Sequence, residues 1–182
     1  MKLIDKNFDA VCIINPVIHE DNRGNFSERY NPKLKELLGV GSLNFCLEYI
    51  STSNFGVLRG LHYQLHVEQA KLISVIEGKV FDVFVDLRKG SKTFGQYKSV
   101  ILDSSFKHMV WIPPGFAHGF LSMSDHTVML YSCTGEYSPE NEKCIRWDDE
   151  SIGIKWPQTS GLIISEKDIC GDQLKNIEIF NN

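Results

Sequence analysis

Short runs of alternating apolar and polar residues, broken by turn residues, dominate this chain. Val11-Cys12-Ile13-Ile14 stops at Asn15-Pro16, and Asp21-Asn22-Arg23-Gly24-Asn25 reads as a turn, followed by an extended stretch over 26–30. Further strands are predicted over 45–53, 57–64, 94–102, 108–112, 119–123 and 128–134, with a strand pair over 71–86 that turns at Glu77-Gly78. In the second half of that pair, over 79–86, the non-polar positions are β-branched or aromatic. Asp82 and Asp86 fall on the same face as Val80 and Phe84. The best helix candidate is 32–38, with Pro32 in the first turn, Leu34, Leu37 and Leu38 on one side, and Gly39 beyond the end. The tail mixes loop with one short helix from Asp168. No repeat, low-complexity stretch or linker interrupts residues 1–182, which are expected to form a single domain. Many short strands with little helix predict an all-β sandwich or barrel of the jelly-roll type, with short peripheral helices.

Composition narrows the partners. With 182 residues, 42% hydrophobic and 23% charged, the chain has the make-up of a soluble globular protein with a substantial core. A net charge of −4 gives no general attraction to nucleic acid or anionic membrane, although a few well-placed Arg and Lys residues can still bind an anionic ligand. The five cysteines, at 12, 46, 133, 144 and 170, are an odd number without a CxxC pair, so neither a disulfide framework nor a zinc site is expected. The first residues carry no signal-peptide core and no apolar run reaches a membrane-spanning length, so the expected location is cytoplasmic.

Two histidines lie within strand-like runs: His62 in Gly56-Val57-Leu58-Arg59-Gly60-Leu61-His62-Tyr63-Gln64, and His118 in Val110-Trp111-Ile112-Pro113-Pro114-Gly115-Phe116-Ala117-His118-Gly119-Phe120. Polar groups left unpaired in a β-core are costly, so their accumulation points to joint use. Lys71 would be carried inward beside Ile73 and Val75, where a lysine needs an anionic partner. Asp82 is the candidate interior partner of His118. Strict alternation would set Arg59 and His62 on opposite faces. A bulge at Gly60 would turn both inward; straight pairing would remove Arg59 from the site.

These segments, together with Phe81-Asp82-Val83-Phe84-Val85-Asp86-Leu87-Arg88-Lys89-Gly90-Ser91, Tyr131-Ser132-Cys133-Thr134, Ile145-Arg146-Trp147-Asp148-Asp149 and Ser165-Glu166-Lys167-Asp168, resemble the dTDP-4-dehydrorhamnose 3,5-epimerase family. The resemblance implies a cupin-type double-stranded β-helix and a homodimer with strand exchange. It also implies epimerisation of a nucleotide-linked 4-keto-6-deoxysugar without metal or organic cofactor, in the synthesis of a deoxysugar for a surface polysaccharide or glycoconjugate. Inverting a carbon beside a ketone requires a base, a group that supports the enolate, and an acid on the opposite face. On the family pattern His62 is the base, Asp168 its carboxylate partner, Lys71 the enolate support and Tyr131 the acid. An unperturbed imidazole, with a pKa near ~6.5, is suited to the base role. Arg23, Glu28, Arg59, His118, Glu142 and Lys167 match substrate contacts, and Tyr137 offers a ring to stack on the base. Some of the nucleotide contacts would cross the dimer interface. His19, His66, His108 and His126 match no site position.

The chain departs from the family at Leu47 and Tyr49, where a Gln and an Asn usually bind the substrate. Leu47 can neither donate nor accept a hydrogen bond, and Tyr49 is bulkier than Asn with a single hydroxyl. This points to altered substrate or regiochemistry with the acid–base set intact, and leaves single and double epimerisation both open. Three rival readings remain at this point: a metal-dependent cupin enzyme, a non-catalytic sugar-binding cupin, and a 4-keto-sugar ketoisomerase. The metal reading is short of ligands, because Gln64 stands two residues after His62 where a second His is usual.

Overall fold

The structure is a computed structural model that describes residues 1–180. The first sheet contains β1 (Lys2–Asn7), β2 (Val11–Asn15), β5 (Leu47–Ser53), β7 (Lys71–Glu77), β10 (Met109–Ile112) and β12 (Thr127–Cys133), in the order β1-β2-β10-β7-β12-β5. The second contains β6 (Val57–Gln64), β8 (Lys79–Asp86), β9 (Tyr97–Asp103), β11 (Phe116–Ser122) and β13 (Glu142–Cys144), in the order β13-β6-β11-β8-β9, with β14 (Ile163–Ile164) added in parallel on β6. A separate hairpin joins β3 (Val17–Asp21) to β4 (Gly24–Glu28). The helices are α1 (Lys33–Leu38), ended by Gly39 in the left-handed conformation, and α2 (Glu166–Ile169); a 3-10 turn covers Leu174–Asn176. This is the expected all-β, cupin-type jelly roll. No helix among the described residues is long and apolar enough to cross a membrane.

Alternation within the strands sorts the apolar residues into three layers. Val80 and Phe84 of β8 join Ile73, Val75, Val110, Phe120 and Met129 between the sheets, while Val83 and Val85 of the same strand face outward. That outer face is covered by the C-terminal segment through Ile145, Ile152, Trp156 and Phe180. Leu34 and Leu38 of α1 cover the outer face of the first sheet against Ile14, Leu72 and Trp111. Each such large side chain taken fully out of water contributes about 2 kcal/mol before conformational entropy is charged against it.

Several boundaries differ from the sequence expectation. The strand expected over 94–102 starts at Tyr97, because the backbone of residues 91–96 is used in turns around Asp86. The strand expected from Gly119 begins at Phe116. The extended segment expected over 26–30 ends at Glu28. The helix expected from Asp168 starts at Glu166, since Ser165 caps it by accepting the Asp168 N–H at 3.2 Å. Strands β1, β3, β13 and β14 lie outside the sequence expectation; β13 and β14 are short and take their stability from pairing with β6.

The feature that shapes the site is a bulge. His118 pairs with His62 and Phe120 pairs with Arg59, so β6 spends one more residue than β11 over the same span. Gly60 has φ +111°, and a Cβ there would lie 2.6 Å from Gly119 Cα and 2.7 Å from the His118 carbonyl. Leu58 and Leu61 therefore both pack outward, although they are three residues apart, and Arg59 and His62 share the inner face. The bulge expected at Gly60 is present. Gly60→Ala is expected to lower the unfolding free energy by about 3 kcal/mol in urea melts; parental stability would contradict this account of the bulge.

At the far end of β8, buried Asp86 accepts hydrogen bonds from Arg88 Nη2 at 2.7 Å, Ser91 Oγ at 2.7 Å and Thr93 Oγ1 at 2.6 Å. Burial raises its pKa, but these donors outweigh burial and bring it down to about 2. A depressed folded-state value stabilises above the unfolded carboxylate range and is lost as pH falls toward 2. Between pH 7 and pH 3 the parent is expected to lose about 1 kcal/mol more stability than Asp86→Asn. Parallel losses in urea melts at the two pH values would remove Asp86 from this role.

Candidate active site

The inner faces of β5, β6, β7, β11 and β12 enclose a cavity of about 490 Å³, within the usual range for small-molecule sites. Arg59 and His62 come from β6, Lys71 from β7, His118 from β11 and Tyr131 from β12; Leu47, Tyr49 and Ser51 form the β5 wall. Tyr137 and Glu142 close the rim.

His62 is joined to Asp168 through Nε2 at 2.7 Å. The other carboxylate oxygen of Asp168 accepts the Gly60 N–H at 3.0 Å, so the bulge and the dyad are one construction. Burial pushes the Asp168 carboxyl up, while the His62 hydrogen bond and charge, the Gly60 N–H and Ser165 together hold it below the ordinary carboxylate range. A carboxylate kept ionised against Nε2 orients the ring and stabilises an imidazolium. It leaves Nδ1 as the nitrogen available to a ligand. The His62 side chain keeps 27% of its surface exposed, and Asp168 is buried behind it.

His118 makes a second imidazole–carboxylate pair, with Nε2 2.8 Å from Asp82 Oδ2, as expected from their positions. Asp82 Oδ1 is buried and has no hydrogen-bond partner among the described residues. Burial pushes the Asp82 carboxyl up, against the pull of His118 and Lys71. Burial pushes the Lys71 ammonium down, and Glu142 and Asp82 oppose that shift. Lys71 lines the cavity with Glu142 and Asp82 close enough to act on its charge, but among the described residues it makes no direct ion pair with the anionic partner its inward position called for.

Tyr131 is buried, and burial drives its phenol well above the ordinary tyrosine value, so it carries its proton throughout the working range. Its hydroxyl donates to Met129 Sδ at 3.6 Å, an ordinary length for a sulfur acceptor, and makes a long contact of 3.5 Å with Ser51 Oγ. Its ring stacks on Tyr49 with centroids 4.6 Å apart and planes 14° apart.

Of the expected site residues, His62, Lys71, Tyr131, Leu47, Tyr49, Arg59, His118, Tyr137 and Glu142 line one cavity, and Asp168 stands behind His62. Arg59 is tethered by Nε to Ser53 Oγ and by Nη2 to the Thr52 carbonyl, each at 3.1 Å. Lys167 is outside the lining but ion-paired to Glu142, which also accepts the Tyr137 hydroxyl at 2.8 Å. Arg23 and Glu28 do not line this cavity. They sit on the β3–β4 hairpin, where Arg23 pairs with Asp21 at 2.6 Å.

Sequence reasoning missed Ser51, Gln64 and Ser165. Ser51 is two residues from Tyr49 in a strand, so alternation alone places it on the same wall. Ser165 precedes Asp168 by three residues in the spacing of a helix cap. Gln64 is buried and accepts the Ser138 N–H at 3.0 Å while donating to the Glu136 carbonyl at 2.9 Å, which holds the loop that carries Tyr137. Among the described residues, ligand atoms of His62, Cys144 and Asp168 lie within 4.8 Å of one another, close enough to share a metal ion. The two imidazoles, by contrast, direct Nε2 to separate carboxylates and not to a common point.

Comparison with known proteins identifies the family. The sequence model of dTDP-4-dehydrorhamnose 3,5-epimerase matches residues 5–176. A dTDP-4-dehydrorhamnose 3,5-epimerase of Salmonella typhimurium is 45% identical over 175 residues, covering 96% of each chain. One from Neisseria gonorrhoeae is 41% identical over 172 residues; the match takes in 94% of this chain and 52% of that protein, so the chain spans about half its length. Among solved structures, dTDP-6-deoxy-D-glucose-3,5-epimerase from Legionella pneumophila, in complex with dTDP-4-keto-L-rhamnose, is 44% identical with a TM-score of 0.93, over 97% of this chain and 94% of that one. By sequence and fold, the chain belongs to the dTDP-4-dehydrorhamnose 3,5-epimerase family.

Proposed function

We propose that this protein epimerises a dTDP-4-keto-6-deoxysugar at C3, C5 or both by enolisation. The observation that carries the reading is the pairing of an Asp168-held imidazole with a buried, protonated phenol in one cavity. His62 takes the proton from the carbon beside the keto group, and its imidazolium is stabilised by Asp168 at 2.7 Å. Negative charge gathers on the keto oxygen, where Lys71 supports it. Tyr131 then returns a proton to the opposite face, and Ser51 Oγ helps hold the resulting phenolate. One proton leaves and one arrives, so the sugar is isomerised with no net redox change. The dTDP-4-keto-L-rhamnose in complex with the Legionella relative is of this class.

His62→Ala is expected to lower both turnover and solvent-hydrogen exchange by about 10³-fold. Tyr131→Phe is expected to keep exchange and lose inversion, since its base is intact and its acid is gone. Loss of exchange and inversion together in Tyr131→Phe would assign that residue to binding or packing.

The nucleotide reading extends to a homodimer with strand exchange. Arg23 and Glu28 are carried on a hairpin away from this cavity, Phe26 between them is 69% exposed, and β5 is a free sheet edge carrying exposed Ile50. The hairpin supplies Arg23 and Glu28 to the partner's cavity, where Arg23 and Lys167 meet the diphosphate and Tyr137 the pyrimidine. Mixing and re-annealing inactive Arg23→Ala and His62→Ala proteins is expected to restore about a quarter of parental activity, because each mixed dimer regains one complete site. Failure to recover any activity, with mixed dimers verified by mass, would place both residues in sites built from a single chain.

A further inference from the structure

Tyr131 is held in an unusual way. A buried phenol that must present its proton in one direction is ordinarily fixed by a hydrogen bond to its oxygen. Here the hydroxyl donates to the Met129 thioether sulfur at 3.6 Å, a weak acceptor, and lies 3.5 Å from Ser51 Oγ, so neither contact is a strong directing partner. The ring is constrained instead by its neighbours. Tyr49 lies directly opposite Tyr131 in the β5–β12 ladder, and the two rings stack at 4.6 Å and 14°. The His118 ring meets Tyr131 edge-on at 6.3 Å and 67°. His118 is itself fixed by Asp82, which leaves Tyr49, on the edge strand, as the stacked ring partner of Tyr131 that a substitution can vary.

We infer that Tyr49 is a positioning residue that holds the Tyr131 ring at the angle from which its hydroxyl reaches the sugar, and thereby sets how many exchange events end in inversion. This rests on the reading of Tyr131 as the acid. Small displacements matter here, because a reacting group moved by about 1 Å can lose about 100-fold in rate. A carbanion formed by His62 has two fates: return of a proton from His62 to the same face, or delivery from Tyr131 to the other. A loosely held Tyr131 shifts the outcome toward return without slowing the first step. The stack acts through the ring face, so the Tyr49 hydroxyl is not required for it.

The test measures inversion and solvent-deuterium exchange in the same reaction, by NMR in deuterated water with dTDP-4-keto-6-deoxyglucose, for the parent, Tyr49→Phe and Tyr49→Asn. Tyr49→Phe keeps the stack and is expected to hold the inversion-to-exchange ratio within about twofold of the parent. Tyr49→Asn removes the stack and is expected to lower the ratio roughly tenfold, the kinetic equivalent of a lost aromatic pair; the ratio is the readout because a change in substrate binding scales exchange and inversion together. Tyr49 is 39% exposed on an edge strand, and thermal melts check that both variants fold. An unchanged ratio in Tyr49→Asn, or an equal fall in Tyr49→Phe, overturns the positioning role. The Tyr131→Phe protein serves as the separate arm: full inversion there overturns the acid assignment itself, whatever the Tyr49 variants do.

Discussion

Gly60 lies so close to Gly119 that neither position has room for a side chain, and the site depends on that approach. A Cβ on Gly119 would come within 2.7 Å of the Arg59 carbonyl, just as one on Gly60 would meet Gly119 Cα. The contact lets β6 take up an extra residue against β11, which turns Arg59 and His62 to the same face and leaves the Gly60 N–H free of the ladder. That N–H is donated to Asp168, whose second oxygen holds His62. One backbone irregularity thus sets the direction of the imidazole, satisfies a buried carboxylate and brings an arginine into the cavity. A regular strand pair could do none of these without leaving the carboxylate short of a donor.

Delivering Asp168 to that point requires a chain path that returns across 106 residues. The return is built from modest interactions. Strand β14 adds two residues to β6, the Arg146 N–H donates to the Asp172 carbonyl, the Asp172 N–H donates to the Cys144 carbonyl, and Ser165 caps the short helix that carries the carboxylate. Apolar burial against the outer face of the second sheet, through Ile152, Trp156 and Phe180, provides the larger driving force. The C-terminal segment is therefore both a cover for the sheet and the support of the His62 imidazole.

Much of this was legible in the sequence. Alternation gave the strand pair over 71–86 and the strand over 57–64 at their observed limits, because these strands are buried on both faces or carry strong β-formers. The conflict between alternation and a shared Arg59–His62 face pointed to a bulge at Gly60, the one residue type that tolerates φ +111° with backbone 2.6 Å away. Strands β13 and β14 escaped notice because two or three residues carry no period, and their pairing is a tertiary fact. The strand expected over 94–102 is placed three residues too early because Phe94 has strand propensity, while the buried Asp86 carboxylate captured Arg88, Ser91 and Thr93 and drew the chain before Tyr97 into turns. The stack of Tyr49 on Tyr131 needed the register of β5 against β12, which no local pattern supplies. The sequence placed Arg23 and Glu28 among substrate contacts, but only the fold separates their hairpin from the cavity of their own chain.

The central claim is that His62 and Tyr131 act on opposite faces of an enolised sugar. It is tested most directly by incubating the unmodified protein with dTDP-4-keto-6-deoxyglucose in deuterated water and following C3 and C5 by NMR. The account predicts that every inverted carbon carries deuterium from solvent, whether one carbon is inverted or both. Inverted product that retains the original hydrogen at the inverted carbon would contradict it.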